Sequence, residues 1–232
     1  MTNQQGMWII GYGSLIFKPP PHVAFKVTGY LTGFVRRFWQ SSIDHRGTPD
    51  FPGRVVTLVS LADLQTHARF HDALDTYELK DDNNDAEIVD VPRKIHELVE
   101  DDLKVYGVAY YISPEHVDEV KAYLDVREQN GYTEHKVPFR ILDIEENEVS
   151  EKVVEDIPRD AEGKRYIESM IYIGTIENVA FVGPESLEDT AAVIRKSVGP
   201  SGKNSEYLIN LTEAIKHFGI RDYYLEDLLQ LL

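Results

Sequence analysis

Short apolar runs separated by glycine- and proline-containing turns dominate residues 7–60, a pattern typical of β-strands. One strand is predicted at residues 7–11, one or two at residues 25–40 and a further, buried one at residues 54–59. The first run ends in Gly-Tyr-Gly-Ser, which is the turn chemistry of a strand that enters a tight loop. Residues 44–53 (DHRGTPDFPG) have the composition of a loop.

The second half of the chain mixes strands with helices. A Ser-Pro-Glu sequence at 113–115 offers a cap, a proline at the first helical position and an acid in the first turn. It predicts a helix as far as Arg127 or Glu128, which the left-handed residue of Asn130-Gly131 then ends. Strands are predicted at residues 105–112, 132–142 and 166–174. Further helices are predicted at residues 186–196, 204–217 and 222–231.

Two acidic stretches interrupt these patterns. Residues 62–104 begin with a possible helix at about residues 63–73 and continue through DDNNDAE, which predicts a solvated, partly mobile insertion. Residues 145–163 predict a second acidic, turn-rich connection. The length of 232 residues allows one domain or at most a tight pair of domains, and we expect a single domain over residues 1–232 with an acidic insertion at about 62–104.

The order of the elements favours one fold class. The chain has no internal repeat and no alternating βαβα pattern. We therefore predict an α+β fold with a mostly antiparallel mixed sheet or a small β-barrel and flanking helices, in preference to a doubly wound parallel sheet.

The composition limits the binding partners and the cellular compartment that we expect for the protein. A formal net charge of -16 opposes general binding to nucleic acids and to anionic membranes. No apolar run approaches the roughly 18 to 20 residues of a membrane helix, and the first residues do not resemble a signal or transit peptide. We expect a cytoplasmic protein, with the nucleus as the alternative. The absence of cysteine excludes disulfides, thiolate metal sites and a cysteine nucleophile.

The loop Gly11-Tyr12-Gly13-Ser14-Leu15 follows the first strand directly. Two glycines around one tyrosine let the backbone turn sharply and direct several N–H groups into one concavity, which can hold a carboxylate or an oxyanion. A strand-ending turn without a function has the same sequence signature. Ser14 is not in a GxSxG context, so we interpret it as a hydrogen-bond donor and not as a nucleophile.

A second candidate is Glu128 at the end of the predicted helix. The helix dipole disfavours negative charge there, which favours a carboxyl group that can take up a proton. The alternative is a solvated glutamate that Arg127 or a nearby lysine neutralises. Histidines His67 and His71 have i, i+4 spacing but no third ligand at a useful spacing, so we predict no metal site.

Three other polar groups have a structural and a functional interpretation. Arg36 and Arg37, beside Phe38 and Trp39, and Arg46 in the loop that follows can lock structure through bidentate pairs and stacking, or can bind a substrate carboxylate. We favour the structural role. The sequence GPSGKN at 199–204 is either an anion-binding turn or a plain entry to the following helix, and we slightly favour the latter.

Together these blocks resemble the ChaC family of γ-glutamylcyclotransferases, in the family's order and over nearly the whole chain. The matching blocks are Gly11-Tyr12-Gly13-Ser14-Leu15-Ile16, RRFWQSS at 36–42, DHRGTP at 44–49, PGRVVTL at 52–58, YGVAY at 106–110, YLDVREQNGY at 123–132, YIGT at 172–175, and GPSGKN followed by EYL at 199–208. The two acidic stretches look longer than a minimal member needs, but they interrupt no motif.

The resemblance implies a γ-glutamylcyclotransferase-like fold and a glutathione-specific enzyme that forms 5-oxoproline and cysteinylglycine. It implies that the loop of Gly11, Tyr12, Gly13, Ser14, Leu15 and Ile16 binds the γ-glutamyl group, and that Glu128 is the catalytic proton acceptor. The expected partner is a small molecule, reduced glutathione, and no cofactor and no metal are expected.

Two alternatives remain open: a cyclotransferase for other γ-glutamyl amino acids or amines, and a non-enzymatic interaction module. The oligomeric state is not predicted.

Overall fold

A computed structural model describes residues 6–71, 77–79, 94–128 and 131–232. The chain folds into two compact units. The first contains Met1–Leu31 and Tyr106–Gly174, and the second contains Thr32–Val105 and Thr175–Leu232. No helix among the described residues is long and apolar enough to cross a membrane.

The described residues contain nine strands and six α-helices. The strands are β1 (Met7–Gly11), β2 (Val23–Thr32), β3 (Phe34–Ser42), β4 (Gly53–Ser60), β5 (Lys104–Ile112), β6 (Thr133–Ile144), β7 (Tyr166–Ile173), β8 (Val198–Gly199) and β9 (Gly202–Lys203). The helices are α1 (Leu61–Thr66), α2 (Val117–Arg127), α3 (Glu148–Val154), α4 (Leu187–Lys196), α5 (Asn204–Lys216) and α6 (Tyr223–Gln230).

A closed five-stranded barrel in the order β1-β5-β2-β6-β7 forms the first unit. Strand β1 is antiparallel to β5, with Ile10 opposite Ala109, and it closes the barrel through a parallel pairing of Ile9 with Met170 on β7. Ile9 on β1, Ala109 on β5 and Phe139 on β6 are fully buried and belong to the core. The predicted α+β class with a small barrel and flanking helices is confirmed.

Local sequence signals explain most helix boundaries. The side chains of Ser60, Ser186 and Asp222 accept hydrogen bonds from backbone N–H groups in the first turns of α1, α4 and α6. The three predicted C-terminal helices are present within one or two residues. The predicted helix at 63–73 is wrong in extent, since α1 begins at Leu61 and ends at Thr66.

Helix α2 follows a 3-10 turn at Pro114–His116, and Ser113 makes no side-chain capping bond. Gly131 has the predicted left-handed conformation, with φ 78°, whereas Asn130 lies outside the described residues. The predicted turn-rich connection at 145–163 contains a helix that the sequence pattern did not indicate, α3. The Asn147 side chain caps α3 through two backbone N–H groups.

In the second unit, β3 and β4 form an antiparallel pair with a register shift between Arg37 and Gln40. Buried arginines join this pair to other elements. Arg36 donates to Asp222 at the start of α6 at 2.6 Å, and Arg37 donates to Glu78 at 2.7 Å. Ion pairs hold both arginines, and the guanidinium of Arg37 also lies over the rings of Tyr77 and Tyr224, which is the structural role that we favoured.

The segment GPSGKN forms the small hairpin of β8 and β9 and leads into α5. The amide of Asn204 exchanges two hydrogen bonds with the backbone of Arg54, at 2.6 and 2.7 Å. Arg46 donates to the carbonyl oxygen of Lys203 at 2.8 Å. These contacts give the turn a structural role, as the plain helix-entry interpretation expects.

The predicted solvated character of residues 62–104 is wrong for part of this segment. Leu64, Phe70, Ile95, Leu98 and Leu103 are buried in one apolar cluster of the second unit. Its charged stretch DDNNDAE, residues 81–87, lies outside the described residues. In the sequence these apolar residues are few and lie between charged ones. In the structure they pack together in the core of the second unit. The single-domain expectation itself stays a prediction.

Candidate functional site

The loop after β1 folds back tightly on itself. A Cβ atom at Gly11 would lie 2.8 Å from Cβ of Leu15, and one at Gly107 on β5 would lie 2.5 Å from the carbonyl oxygen of Gly11. Both distances are too short for a real side chain. Glycine is therefore required at Gly11 and Gly107 for the loop to leave the barrel in this direction.

Two buried tyrosines fix the backbone of this loop. The hydroxyl of Tyr12 donates to the carbonyl oxygen of Tyr172 on β7 at 2.9 Å, and the hydroxyl of Tyr110 donates to the carbonyl oxygen of Leu15 at 2.8 Å. Burial raises the pKa of Tyr110, although the Arg127 cation opposes this effect. Its phenol therefore stays protonated and remains a donor at neutral pH.

Tyr12→Phe should lower the free energy of unfolding by about 0.5 to 1.5 kcal/mol, because it removes a buried hydrogen bond and leaves the Tyr172 carbonyl without this donor. Urea unfolding followed by circular dichroism measures the change. Tyr123→Phe is a matched control, since Tyr123 is half exposed and its hydroxyl accepts a hydrogen bond from Arg127 at 3.3 Å. Equal stability of Tyr12→Phe and the wild type would contradict the anchoring role.

Three successive backbone N–H groups of the loop are available to a ligand. Ser14–Ile16 form a single 3-10 turn, in which the N–H of Ile16 donates to Gly13. Among the described residues, no acceptor is found for the N–H groups of Gly13, Ser14 or Leu15. Gly13 itself is buried, and backbone donors of this kind favour an anionic or carbonyl oxygen.

Glu128 directly follows Arg127, the last residue of α2, so the helix ends where the sequence predicts. Its N–H donates to the carbonyl oxygen of Leu124 at 2.8 Å, and its side chain is only 15% exposed. The side chain is less solvated than the alternative interpretation expects, whereas the neutralising partner that it names, Arg127, lies 3.6 Å away. The carboxylate is therefore largely buried at a helix C-terminus, where the helix dipole opposes its negative charge.

The guanidinium of Arg127 connects the loop with Glu128. Its Nη2 donates to Oγ of Ser14 at 3.0 Å, its Nη1 donates to the carbonyl oxygen of Lys18 at 2.9 Å, and its Nε lies 3.6 Å from Oε1 of Glu128. One side chain thus contacts both parts of the predicted site. We expected Arg127 only as a neutralising partner of the carboxylate, so its contacts with the loop were missed.

Tyr172 adds a phenol beside these groups. Its hydroxyl donates to Oδ1 of Asp125 at 3.3 Å, one helical turn before Glu128. Burial is the main cause that raises the pKa of Tyr172, followed by the negative charge of Asp125 and, further down, those of Glu134 and Glu128. The phenol therefore stays protonated, and its one O–H donor is used in the hydrogen bond to Asp125.

The sequence pattern gave little indication of this phenol. Asp125 and Glu128 have the i, i+3 spacing of one helix face, which was an available signal. The pairing with Tyr172 joins residues that are 47 positions apart, and nothing in the local sequence reveals it. Within the described ranges, His67 and His71 belong to no group of three metal-ligand side chains.

A barrel loop with available N–H groups, beside a shielded carboxylate, is the arrangement of a small-molecule site with acid–base chemistry. A family model described as ChaC-like protein matches residues 7–232. The chain therefore belongs to the ChaC-like family, and the predicted resemblance is confirmed.

Two curated relatives are named glutathione-specific gamma-glutamylcyclotransferase. The protein of Saccharomyces cerevisiae is 45% identical over 240 residues, which cover 99% of this chain and 97% of the relative. That of Schizosaccharomyces pombe is 30% identical over 217 residues, covering 94% and 86%.

A solved structure gives the same result for the fold. The crystal structure of a selenomethionine-labelled gamma-glutamyl cyclotransferase specific to glutathione from yeast is 44% identical. It superposes with a TM-score of 0.83 over 98% of this chain and 95% of the other. The predicted γ-glutamylcyclotransferase-like fold is thereby confirmed.

Proposed function

We propose that this chain is a glutathione-specific γ-glutamylcyclotransferase that converts glutathione into 5-oxoproline and cysteinylglycine. The names of the yeast relatives, which match over nearly their whole length, support the activity and the substrate. The observation that supports the site is the Arg127 guanidinium, which contacts Ser14 of the loop and Glu128. The proposed proton acceptor, Glu128, and the loop with its N–H donors therefore both lie next to Arg127.

The proposed reaction is an internal acyl transfer. The α-nitrogen of the glutamyl group attacks its own γ-carbonyl carbon, the new C–N bond closes a five-membered ring, and the amide bond to cysteine breaks. The substrate supplies the nucleophile, so the enzyme needs a base, an oxyanion site and a surface that holds the chain curled. The absence of cysteine from the protein is compatible with this chemistry.

Glu128 is the proposed proton carrier. It accepts a proton from the α-nitrogen as the ring forms and delivers that proton to the departing nitrogen of cysteinylglycine. The second proton that the α-ammonium loses, and the second that the product amine gains, exchange with water. General acid–base catalysis of this kind contributes about 10² to 10⁴ in rate.

The loop from Gly11 to Ile16 is the proposed site of the γ-glutamyl group. The N–H groups of Gly13, Ser14 and Leu15 would bind its α-carboxylate or the oxyanion that develops on the γ-carbonyl oxygen. The rigid anchoring of the loop by Tyr12 and Tyr110 supports this role, because donors that do not reorganise stabilise a developing charge best.

Incubation of the purified protein with reduced glutathione should yield equal amounts of 5-oxoproline and cysteinylglycine. γ-Glutamyl-alanine assayed beside it at the same concentration should react far more slowly. A preference for γ-glutamyl-alanine would show that the substrate is a γ-glutamyl compound other than glutathione. If neither compound gave 5-oxoproline, the cyclotransferase function would be rejected.

The compartment that suits this function is the cytoplasm, where the glutathione pool is kept reduced. We therefore propose a cytoplasmic enzyme that acts on a small molecule. Fractionation of cells that produce the protein, with detection of 5-oxoproline formation in each fraction, checks the compartment.

A further inference from the structure

A second group of ligand-type side chains lies at the opposite end of α2 from Glu128. His22 precedes β2, His116 ends the 3-10 turn before α2, and Glu119 lies in the first turn of the helix. One ligand atom from each of the three lies within 4.8 Å of the others. All three residues belong to the first unit, and the proposed cyclisation uses none of them.

The carboxylate of Glu119 faces both imidazole rings. Its Oε1 lies 3.0 Å from Nε2 of His22, and its Oε2 lies 3.9 Å from Nδ1 of His116. The two rings are stacked, with centroids 4.1 Å apart and planes inclined by only 9°. His22 adopts a left-handed backbone conformation, with φ 58°. Among the described residues, it is the one residue other than glycine that has a positive φ.

Two imidazole nitrogens and one carboxylate oxygen are a ligand set of Zn²⁺ sites, with a water or other small ligand in the fourth position. Zinc–ligand distances of about 2.0 to 2.2 Å require ligand atoms about 3.2 to 3.6 Å apart. The two separations from the Glu119 oxygens, 3.0 and 3.9 Å, lie on either side of this range, and the three ligand atoms lie within 4.8 Å of one another. The nitrogen lone pairs lie in the ring planes, so one ring must turn to share an ion, and the exposed fractions of 34% for His22 and 39% for His116 leave room for this turn.

We propose that His22, His116 and Glu119 bind one divalent transition-metal ion, with Zn²⁺ as the ion that this ligand set favours. The site is separate from the acid–base site. Glu119 and Glu128 are nine positions apart, which is about 13.5 Å along a helix, so Glu128 cannot be a ligand of the same ion.

The other histidines offer a poorer site. His71 and His96 lie in the second unit with ring centroids 4.7 Å apart, in an edge-to-face arrangement. Within the described ranges, neither belongs to a group of three metal-ligand side chains. The chain has no cysteine, so thiolates cannot compete for the ion.

A bound ion would fasten the end of the segment that contains the substrate loop. This segment runs from Gly11 to the start of β2, and Arg127 holds its first part at Ser14 and Lys18. Zinc bound to His22 would connect the last part of this segment to the N-terminal turn of α2. The helix would then hold the segment at both ends.

The test uses the untagged full chain, freed of metal with EDTA and exchanged into a non-chelating buffer. Titration with Zn²⁺ by calorimetry should show one ion per chain. The variants His116→Ala and Glu119→Gln should each weaken the binding by at least about 10-fold, since loss of a partner of a metal ligand alone has an effect of this size. The matched control His71→Ala removes a histidine from the other pair and should bind as the wild type does.

Thermal unfolding gives a second, independent measurement. Zn²⁺ should raise the Tm of the wild type and of His71→Ala, because an ion that binds only the folded state stabilises it. His116→Ala and Glu119→Gln should have a normal Tm in EDTA and gain less from Zn²⁺. No binding by the wild type, or equal affinity in all four proteins, would overturn the proposal, and neither result depends on cyclotransferase activity.

Discussion

Glu128→Gln should reduce the formation of 5-oxoproline from glutathione by at least about 10²-fold, with little change in the fold. The amide has nearly the same shape as the carboxyl group but cannot accept the proton of the α-nitrogen. Because Glu128 follows the last residue of α2, the substitution should leave the helix intact. Initial rates at saturating and at low glutathione give kcat and kcat/KM for both proteins.

The matched control for charge is Glu134→Gln. Glu134 lies on β6 and contributes, like Glu128, to the electrostatic environment of Tyr172, but its side chain is exposed. The two substitutions therefore remove the same charge from the same region. Glu134→Gln should retain activity within about threefold of the wild type, a difference of less than about 1 kcal/mol in the activation free energy. A similar loss in both variants would show that the negative charge matters and that the proton transfer by Glu128 does not.

The pH dependence separates these explanations further. If Glu128 is the general base, kcat/KM for glutathione falls at low pH as one group is protonated, and the slow residual reaction of Glu128→Gln lacks this limb. An unfolded variant would also lose the fall of kcat/KM at low pH. The circular dichroism spectrum and the Tm of Glu128→Gln must therefore be close to those of the wild type. If folded Glu128→Gln kept the fall of kcat/KM at low pH, a group other than Glu128 would be responsible for that fall.

The sequence pattern predicted the elements whose signals are local. The sequence Ser-Pro-Glu at 113–115 and the left-handed glycine at 131 predicted a helix as far as Arg127 or Glu128, and α2 ends at Arg127, although Ser113 makes no capping bond. Helix α3 was missed because its surroundings are rich in acidic residues and because its seven residues are too few for a clear periodicity. The asparagine cap at Asn147 was the signal that remained.

Contacts between distant parts of the chain were not predictable in the same way. The hydroxyl of Tyr12 reaches the backbone of a residue 160 positions away, and no local pattern encodes this pairing. The burial of Phe70 and Leu103 in the core of the second unit is a similar case. Glu128 and the loop could be proposed from local sequence, whereas the residues that hold them depend on how the barrel closes.

Arg127 is the residue whose role depends most on this tertiary arrangement, and Arg127→Met should lower kcat/KM for glutathione by about 10- to 10²-fold. The substitution removes hydrogen bonds to Ser14 and Lys18 while it keeps an apolar side chain of similar length. A hydrogen bond from a charged group contributes about 1.5 to 3 kcal/mol, and each 1.36 kcal/mol corresponds to a factor of about ten in rate. The loss should appear mainly as a higher KM, because a loosened loop binds the substrate less well.

The control is Arg159→Met, which removes another arginine-to-carbonyl hydrogen bond in the same unit. Arg159 is exposed and donates to the carbonyl oxygen of Gly163 at 2.7 Å. This variant should keep both kcat and KM. Equal effects of the two substitutions would mean that Arg127 supports the fold in general and has no particular role at the loop.

Arg127→Lys distinguishes positioning from charge. Lysine keeps the positive charge beside Glu128 but lacks the planar group that donates to Ser14 and Lys18 at once. If Arg127 positions the loop, Arg127→Lys should behave like Arg127→Met, with a raised KM and an unchanged acidic limb of the pH profile. Ser14→Ala, which removes one of the two acceptors, should cause a smaller loss that is not additive with Arg127→Met, since both changes break the same hydrogen bond. Full rescue by lysine, or strict additivity of the two losses, would show instead that the guanidinium acts through its charge on Glu128.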